Sequence, residues 1–400
     1  MTAHGRRVSA PGSTAGERAG PTSLVGPPAK PYASAVRSVL PPTALLAAAL
    51  LVTLGAGCDD VKVIPFPSSS GGSSQDTCSL PESCTVVTLA AQRAQPSALA
   101  LDGTHVYWVD RGGDPGTAAI LKTLKHGGPV ELLAAGQGIV SSLAVDDTHV
   151  YWTNLQSPGV DPAIVAVMRV SKDGGSPEAQ SPVQSNPWGV ATGDGQVVWT
   201  NLPADGAPVT TGEVWTMPAG GGEPMLLAPG QKTPISVTVQ AGRVYWLNGG
   251  VAPGEESAVM AAPAGGGEIV ELCKGSFFPL GLGVDEGQVY FTNSRTTEGK
   301  GNVMKVPLAG GEAEIVAGEQ DHPASVVRRG DHLYWTNSGS TDPDSRGGIM
   351  KLAMDASAPT PMLESGAAHP FGLAVDETHV YWTDGAAGKV LKMNRCCPDP

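Results

Sequence analysis

The chain is 400 residues long, with 53 glycines, 35 prolines, 16% charged residues and only 5% aromatic ones. So many helix breakers and so few charges exclude a coiled coil or helical bundle, and the glycines follow no three-residue period, which excludes collagen. The net charge of −13 hides an asymmetry: residues 1–57 hold five basic residues against one acid, so the rest is strongly acidic and unsuited to nucleic acid.

Residues 1–36 are rich in Pro, Gly, Ser and Ala without hydrophobic period and read as a disordered or untranslated extension. Residues 37–57 read as an export signal: Arg37 precedes the uncharged run ALLAAALLVTLGAG (44–57), which is too short to span a bilayer. The run ends at Leu54-Gly55-Ala56-Gly57-Cys58, which resembles a bacterial lipobox with Leu displaced by one position. The resemblance implies that Cys58 is lipidated and that the protein sits in a bacterial cell envelope, facing the periplasm or the cell surface. Residues 58–84, including SSSGGSSQ, read as a flexible tether.

Residues 85–397 repeat. HVYWVD (105–110), HVYWTN (149–154), QVVWTN (196–201), RVYWLN (243–248), QVYFTN (288–293), HLYWTN (332–337) and HVYWTD (379–384) recur at steps of 44 to 47 residues. This is the period of a four-stranded propeller blade. Each repeat supplies an innermost strand such as LAVD (373–376), a tight polar turn, the HVYWTN-like second strand, a variable loop, a third strand such as VMKV (303–306), a Gly-rich turn and a fourth strand. The last repeat ends after its third strand, and an orphan fourth strand, TVVTLA (85–90), precedes the first. The two fragments complete one blade, so the expected fold is an all-β, seven-bladed propeller closed by its N-terminal strand.

Cys78 and Cys84 precede the closing strand, and Cys396 and Cys397 follow the last one. Of the three connectivities, one needs a strained bond between adjacent cysteines; the other two both clamp the closing strand to the final blade. Cys273 lies in a fourth strand and is expected to be a buried thiol.

Four histidines (His105, His149, His332, His379) share one repeat position and read as turn or strand-start residues. The Asp or Asn ending each second strand reads as a turn former, and the Tyr-Trp pairs as packing between blades. The lead-in to each innermost strand differs: QPSA (95–98), IVSS (139–142), NPWG (186–189), TPIS (233–236), FPLG (278–281), HPAS (322–325) and HPFG (369–372). The fourth position is always small, as crowding at the propeller axis demands. The first varies through Gln95, Ile139, Asn186, Thr233, Phe278, His322 and His369, which are expected to ring one channel mouth, with Trp188 and Phe371 adding apolar contact. His322, with Asp321 beside it, and His369 stand in neighbouring blades and are candidates for a shared divalent metal or an acid/base pair. The loops after the second strands open on this same face. One of them, DPDSRGG (342–348), carries two carboxylates suited to calcium but lacks the rest of an EF-hand loop.

Tyr381-Trp382-Thr383-Asp384 and its near copies resemble the YWTD repeats of low-density lipoprotein receptor propellers, and HPFGLAVDETHVYWTD (369–384) is similar to NHL-type and virginiamycin B lyase-type propellers. The lyase resemblance implies a metal-dependent channel site with His and acidic residues, for which His322 and His369 are the loose matches. Without the EGF-like modules of the receptors, receptor function does not carry over. The expected function is binding of a protein, glycan or small ligand through the loop face, with no required cofactor. The alternative is a metal-dependent lyase or hydrolase at the mouth.

Overall fold

The computed structural model describes residues 85–395 apart from 115, 156–164, 182–185, 205–206, 250–255, 276–277, 295–299, 340–346 and 366–368. They form seven four-stranded antiparallel sheets. Blade 1 is typical: Pro96–Leu101 innermost, then His105–Asp110, Ala118–Leu124 and Glu131–Gln137 outward. Blade 7 takes its outer strand, Val87–Ala90, from the N-terminal end, paired with Lys389–Asn394. The ring therefore closes between chain ends, and the fold is the seven-bladed propeller that the repeats predict. Among the described residues the only helical element is a single 3-10 turn, Val209–Thr211.

Successive residues of a strand face opposite sides of the sheet, so Tyr and Trp of one second strand serve two different interfaces. Tyr107 of blade 1 packs with Trp152 of blade 2. Trp108 of blade 1 packs with Tyr381 of blade 7. The same exchange, with Val198 for Tyr and Phe291 for Trp where the repeats vary, makes one apolar cluster at each interface. Six tryptophans and Phe291 are fully buried this way.

Each innermost strand carries a bulge at the lead-in. In blade 3, Pro187 pairs with Asn201 and Val190 with Trp199, so Trp188 and Gly189 together oppose Thr200. The threonine of the repeat closes that bulge and reaches the next blade. Thr292 Oγ1 accepts the Gly281 N–H (2.8 Å) and donates to the Ala324 carbonyl of blade 6 (2.8 Å). Thr383 does the same for Gly372 (2.9 Å) and Ser97 (2.6 Å), across the closing interface. The small fourth position follows from the neighbour's backbone. A Cβ on Gly281 would lie 2.2 Å from Ala324 O, and one on Gly372 2.4 Å from Ser97 O.

Of the residues that end the second strands, Asp384 is the turn former expected from its type, its Oδ1 accepting the Ala387 N–H (2.9 Å), but Asn154, Asn248 and Asn337 are not. Asn154 is fully buried. Its Nδ2 donates to Gln137 Oε1 (3.1 Å), and its Oδ1 accepts the Gly138 N–H (2.8 Å). Trp152 Nε1 donates to the same Gln137 Oε1 (3.1 Å). Gln231 with Trp246 and Asn248, and Gln320 with Trp335 and Asn337, repeat this clamp. A buried indole N–H and a buried amide need acceptors, and the last residue of the preceding blade supplies one to both.

Cys273 is buried, as expected. Cys58, Cys78, Cys84, Cys396 and Cys397, and the signal and tether segments, lie outside the described residues.

Candidate functional site at the loop-bearing mouth

The two ends of the ring are chemically distinct. At one end, tight turns join first to second strands. Asp102 accepts the N–H groups of Thr104 and His105 (both 2.7 Å) and the Tyr107 hydroxyl (2.8 Å). Asp146 and Asp376 repeat the pattern, and Asp285 holds Gly287, Gln288 and Tyr290 alike. His105, His149 and His379 start their strands here, each with Nδ1 2.7 Å from the preceding threonine hydroxyl. Interblade bridges run alongside: Lys172 to Asp102 (3.0 Å), Lys125 to Asp376 (3.0 Å), Arg328 to Asp285 (3.4 Å). Burial raises the Asp102 and Asp376 carboxyls, but backbone donors, the tyrosine hydroxyls and the lysines outweigh it and hold both well below the ordinary range. The partnered Tyr290 hydroxyl is pushed up to about 12, by burial first and then by Asp285.

At the other end lie the lead-in residues and the variable loops. The first residue of each lead-in is fixed by one recurring bond: its carbonyl accepts the N–H of the residue just after the second strand. Arg111 donates to Gln95 (3.3 Å), Leu202 to Asn186 (2.8 Å), Gly249 to Thr233 (3.0 Å), Ser294 to Phe278 (2.8 Å), Ser338 to His322 (3.0 Å) and Gly385 to His369 (3.4 Å). In blade 2, Ile139 pairs with Leu155 in the ladder. The predicted ring thus shares one face with the loops. Gln95 and His369 are exposed, and Asn186, Trp188, Phe278, His322 and Phe371 are partly exposed. Thr233 is buried. Gln95, Thr233 and His322 hold left-handed backbone (φ +59°, +42° and +55°). Non-glycine residues there cost about 1 kcal/mol or more each, and such strain gathers at functional sites.

His322 and His369 meet through Ser338. The Ser338 hydroxyl donates to the His322 carbonyl (2.9 Å), and the Ser338 carbonyl lies 2.7 Å from His369 Nδ1. A carbonyl only accepts, so His369 Nδ1 carries a proton and Nε2 keeps its lone pair when the ring is neutral. His322 Nδ1 faces Asp321 Oδ1 at 3.2 Å, and Asp321 also faces Lys300 at 3.7 Å. Among the described residues, no three His, Cys, Asp or Glu side chains converge as a metal ligand set. Asp342 and Asp344, the calcium candidates, lie outside those residues.

Arg111 was not singled out by sequence. It follows the second strand of blade 1, and its guanidinium carbon lies 5.7 Å from the ring centre of Phe371 in blade 7. Its Nε is buried without a hydrogen-bond partner, and burial lowers its pKa. The equivalent positions hold Leu155, Leu202, Gly249, Ser294, Ser338 and Gly385, so this is the one ionisable residue of that column. Comparing the column across repeats is the signal that would have found it.

No protein-family model matches the chain, and no curated protein matches it. Solved structures do. A catalytically inactive virginiamycin B lyase from Staphylococcus aureus with quinupristin is 15% identical, with 78% of this chain and 98% of that one covered at TM-score 0.57. The computationally designed Ika8 protein is 13% identical, with 77% and 98% covered at TM-score 0.53. A nidogen/laminin complex gives 18% identity, 66% and 93% covered, and TM-score 0.46. The likeness is one of fold. YWTD-like repeats and a lyase-type propeller architecture are both consistent with it, and at these identities the chemistry of the mouth has to be argued from its own residues.

Proposed function

We propose that this protein is an exported, lipid-anchored binding module that engages a partner through its loop-bearing face. The observation that carries this reading is the lead-in ring. Six of the seven positions share one backbone bond, and the ring bears Gln95, Ile139, Asn186, Thr233, Phe278, His322 and His369, whereas on the opposite face one Asp-centred turn recurs in four of the seven blades. Structural need alone favours sameness at equivalent positions; difference concentrated at one mouth fits recognition.

The path of the chain supports the orientation. Val87 pairs with Lys392, and Asn394 pairs with His379 just after a tight turn, so the closing strand starts at the tight-turn face. A chain arriving from a lipidated Cys58 would join the domain on that face, the one opposite the mouth. Residues 59–84 would span about 30 Å as a flexible coil. Two experiments test the reading. Cys58→Ser should move the protein from the membrane fraction to the soluble one. A photo-crosslinking residue at Phe278 should give discrete adducts in intact cells, and one at exposed Glu286 on the tight-turn face none. Equal labelling at both, or none at Phe278, overturns it.

The second reading is a metal-dependent lyase or hydrolase at the same mouth. Its supports are the junction of His322 and His369 at Ser338 and the fold likeness to virginiamycin B lyase. Elemental mass spectrometry of the purified chain decides it. One divalent ion per chain, lost in the His322→Ala/His369→Ala double variant, would put it first.

A further inference from the structure

Arg111 is the residue of the mouth that local structure leaves unfinished. Its sequence neighbour Asp110 makes no ion pair with it and instead accepts from Trp108 Nε1 (3.0 Å) and faces Arg93 (3.7 Å). Among the described residues, no carboxylate lies in ion-pair distance of Arg111, and no acceptor takes its Nε–H. A buried polar donor without a partner costs stability, more so when it is charged. Cation–π contact with Phe371 offsets part of this, but stacking uses only the flat face of a guanidinium. The in-plane N–H groups remain, and they form a planar fork that matches a carboxylate. Arg111 as a whole keeps partial exposure, as does Phe371, so the fork is open to a ligand from the mouth.

We propose that Arg111 is the anchor of a carboxylate site, and that the ligand is a monoanionic carboxylate bearing an apolar group. The inference rests on the loop-face reading and names its ligand class. One guanidinium against an aromatic ring balances one negative charge; a phosphate dianion would call for a second cation. The flanking, partly exposed Phe371 gives the apolar part of the ligand a surface to cover. Recognition here resembles a completed ion pair: the ligand's carboxylate supplies the acceptor that the fold omits.

The test is calorimetric titration of the purified full-length chain with N-acetyl-L-phenylalanine, its uncharged amide, and inorganic phosphate. The acid should bind at least about tenfold tighter than the amide, the discrimination expected of one desolvated charge-assisted pair, and phosphate should bind more weakly than the acid. Arg111→Met should make acid and amide equivalent, while Arg111→Lys keeps a reduced preference. The melting temperature controls for folding: Arg111→Met should equal or exceed wild type, because the methionine fills the space without a buried, unpartnered charge. Equal binding of acid and amide to wild type, tighter binding of phosphate, or an Arg111→Met variant that keeps the preference overturns the proposal. So does a methionine variant that melts well below wild type, which would make Arg111 a structural residue. Crosslinking at Phe278 is unaffected by any of these outcomes, so failure of the carboxylate site is distinguishable from failure of the loop-face reading.

Discussion

On the tight-turn face, Asp102, Asp146, Asp285 and Asp376 each end in the same set of donors, and lysines or an arginine of the next blade finish three of them. On the mouth face, the same repeats leave Arg111 Nε without a hydrogen-bond partner and present six residue types at the seven lead-in positions, with only histidine recurring. One repeat thus builds a stable end and a variable end. The boundary between them is the buried middle of each second strand, where Tyr and Trp join the blades. Stability is expected to reside from that middle toward the tight turns, and recognition at the mouth.

The largest effect expected follows from removing the shared middle. Trp152→Ala should cost about 3–5 kcal/mol, from the lost ring packing and the cavity between blades 1 and 2. Denaturant unfolding measures it. A cost under about 1 kcal/mol would mean that the interblade clusters do not hold the ring. Next is the clamp: Gln137→Leu leaves the Trp152 indole N–H and the Asn154 amide without their common acceptor and should cost about 2 kcal/mol. In a Trp152→Phe background the cost should fall, because one of the two stranded donors is gone. Blade 5 is the natural precedent, with Phe291 at that position.

That clamp also marks where the sequence stops being legible. Blade number, closure by the first strand, the two-sided use of Tyr and Trp, and the small fourth lead-in position all follow from columns within one repeat. Gln137 lies 15 residues before Trp152 and 17 before Asn154, on the other side of a blade boundary. A reading that treats each repeat as a unit sees Asn154 beside a loop and takes it for a turn former. Its burial appears only once neighbouring blades are joined. Arg111 escapes for a related reason. Its meaning depends on Phe371, which lies 260 residues away in sequence and is adjacent only because the ring closes.

Acid should separate the two faces by sign. Asp102 and Asp376 have folded pKa values held below the ordinary Asp value of 3.8, so their contribution is present above about pH 4 and is lost as pH falls below it. Asp110, at the mouth end, goes the other way. Burial raises its carboxyl, and its bonds to Trp108 and Arg93 do not fully compensate, so its contribution is present in acid and lost as pH rises through its folded value. Melting temperature measured from pH 7 to 3 should therefore fall steeply below pH 4 in wild type. The fall should be shallower in Asp102→Asn, which removes one titrating group of the tight-turn face. A fall of the same steepness in that variant would place the acid sensitivity elsewhere.

The smallest effect on stability is expected from the mouth itself, and its smallness is the point. His369 is exposed, and among the described residues its ring bonds only the Ser338 carbonyl. His369→Ala should change unfolding free energy by no more than about 0.5 kcal/mol, the range of ordinary surface substitutions. A repeat protein retains an exposed imidazole at such a position without any help from folding, so a measurable stability loss would argue that the lead-in ring is structural after all. No loss, together with a change in crosslinking at Phe278, would leave recognition as the reason that the seven lead-in positions differ.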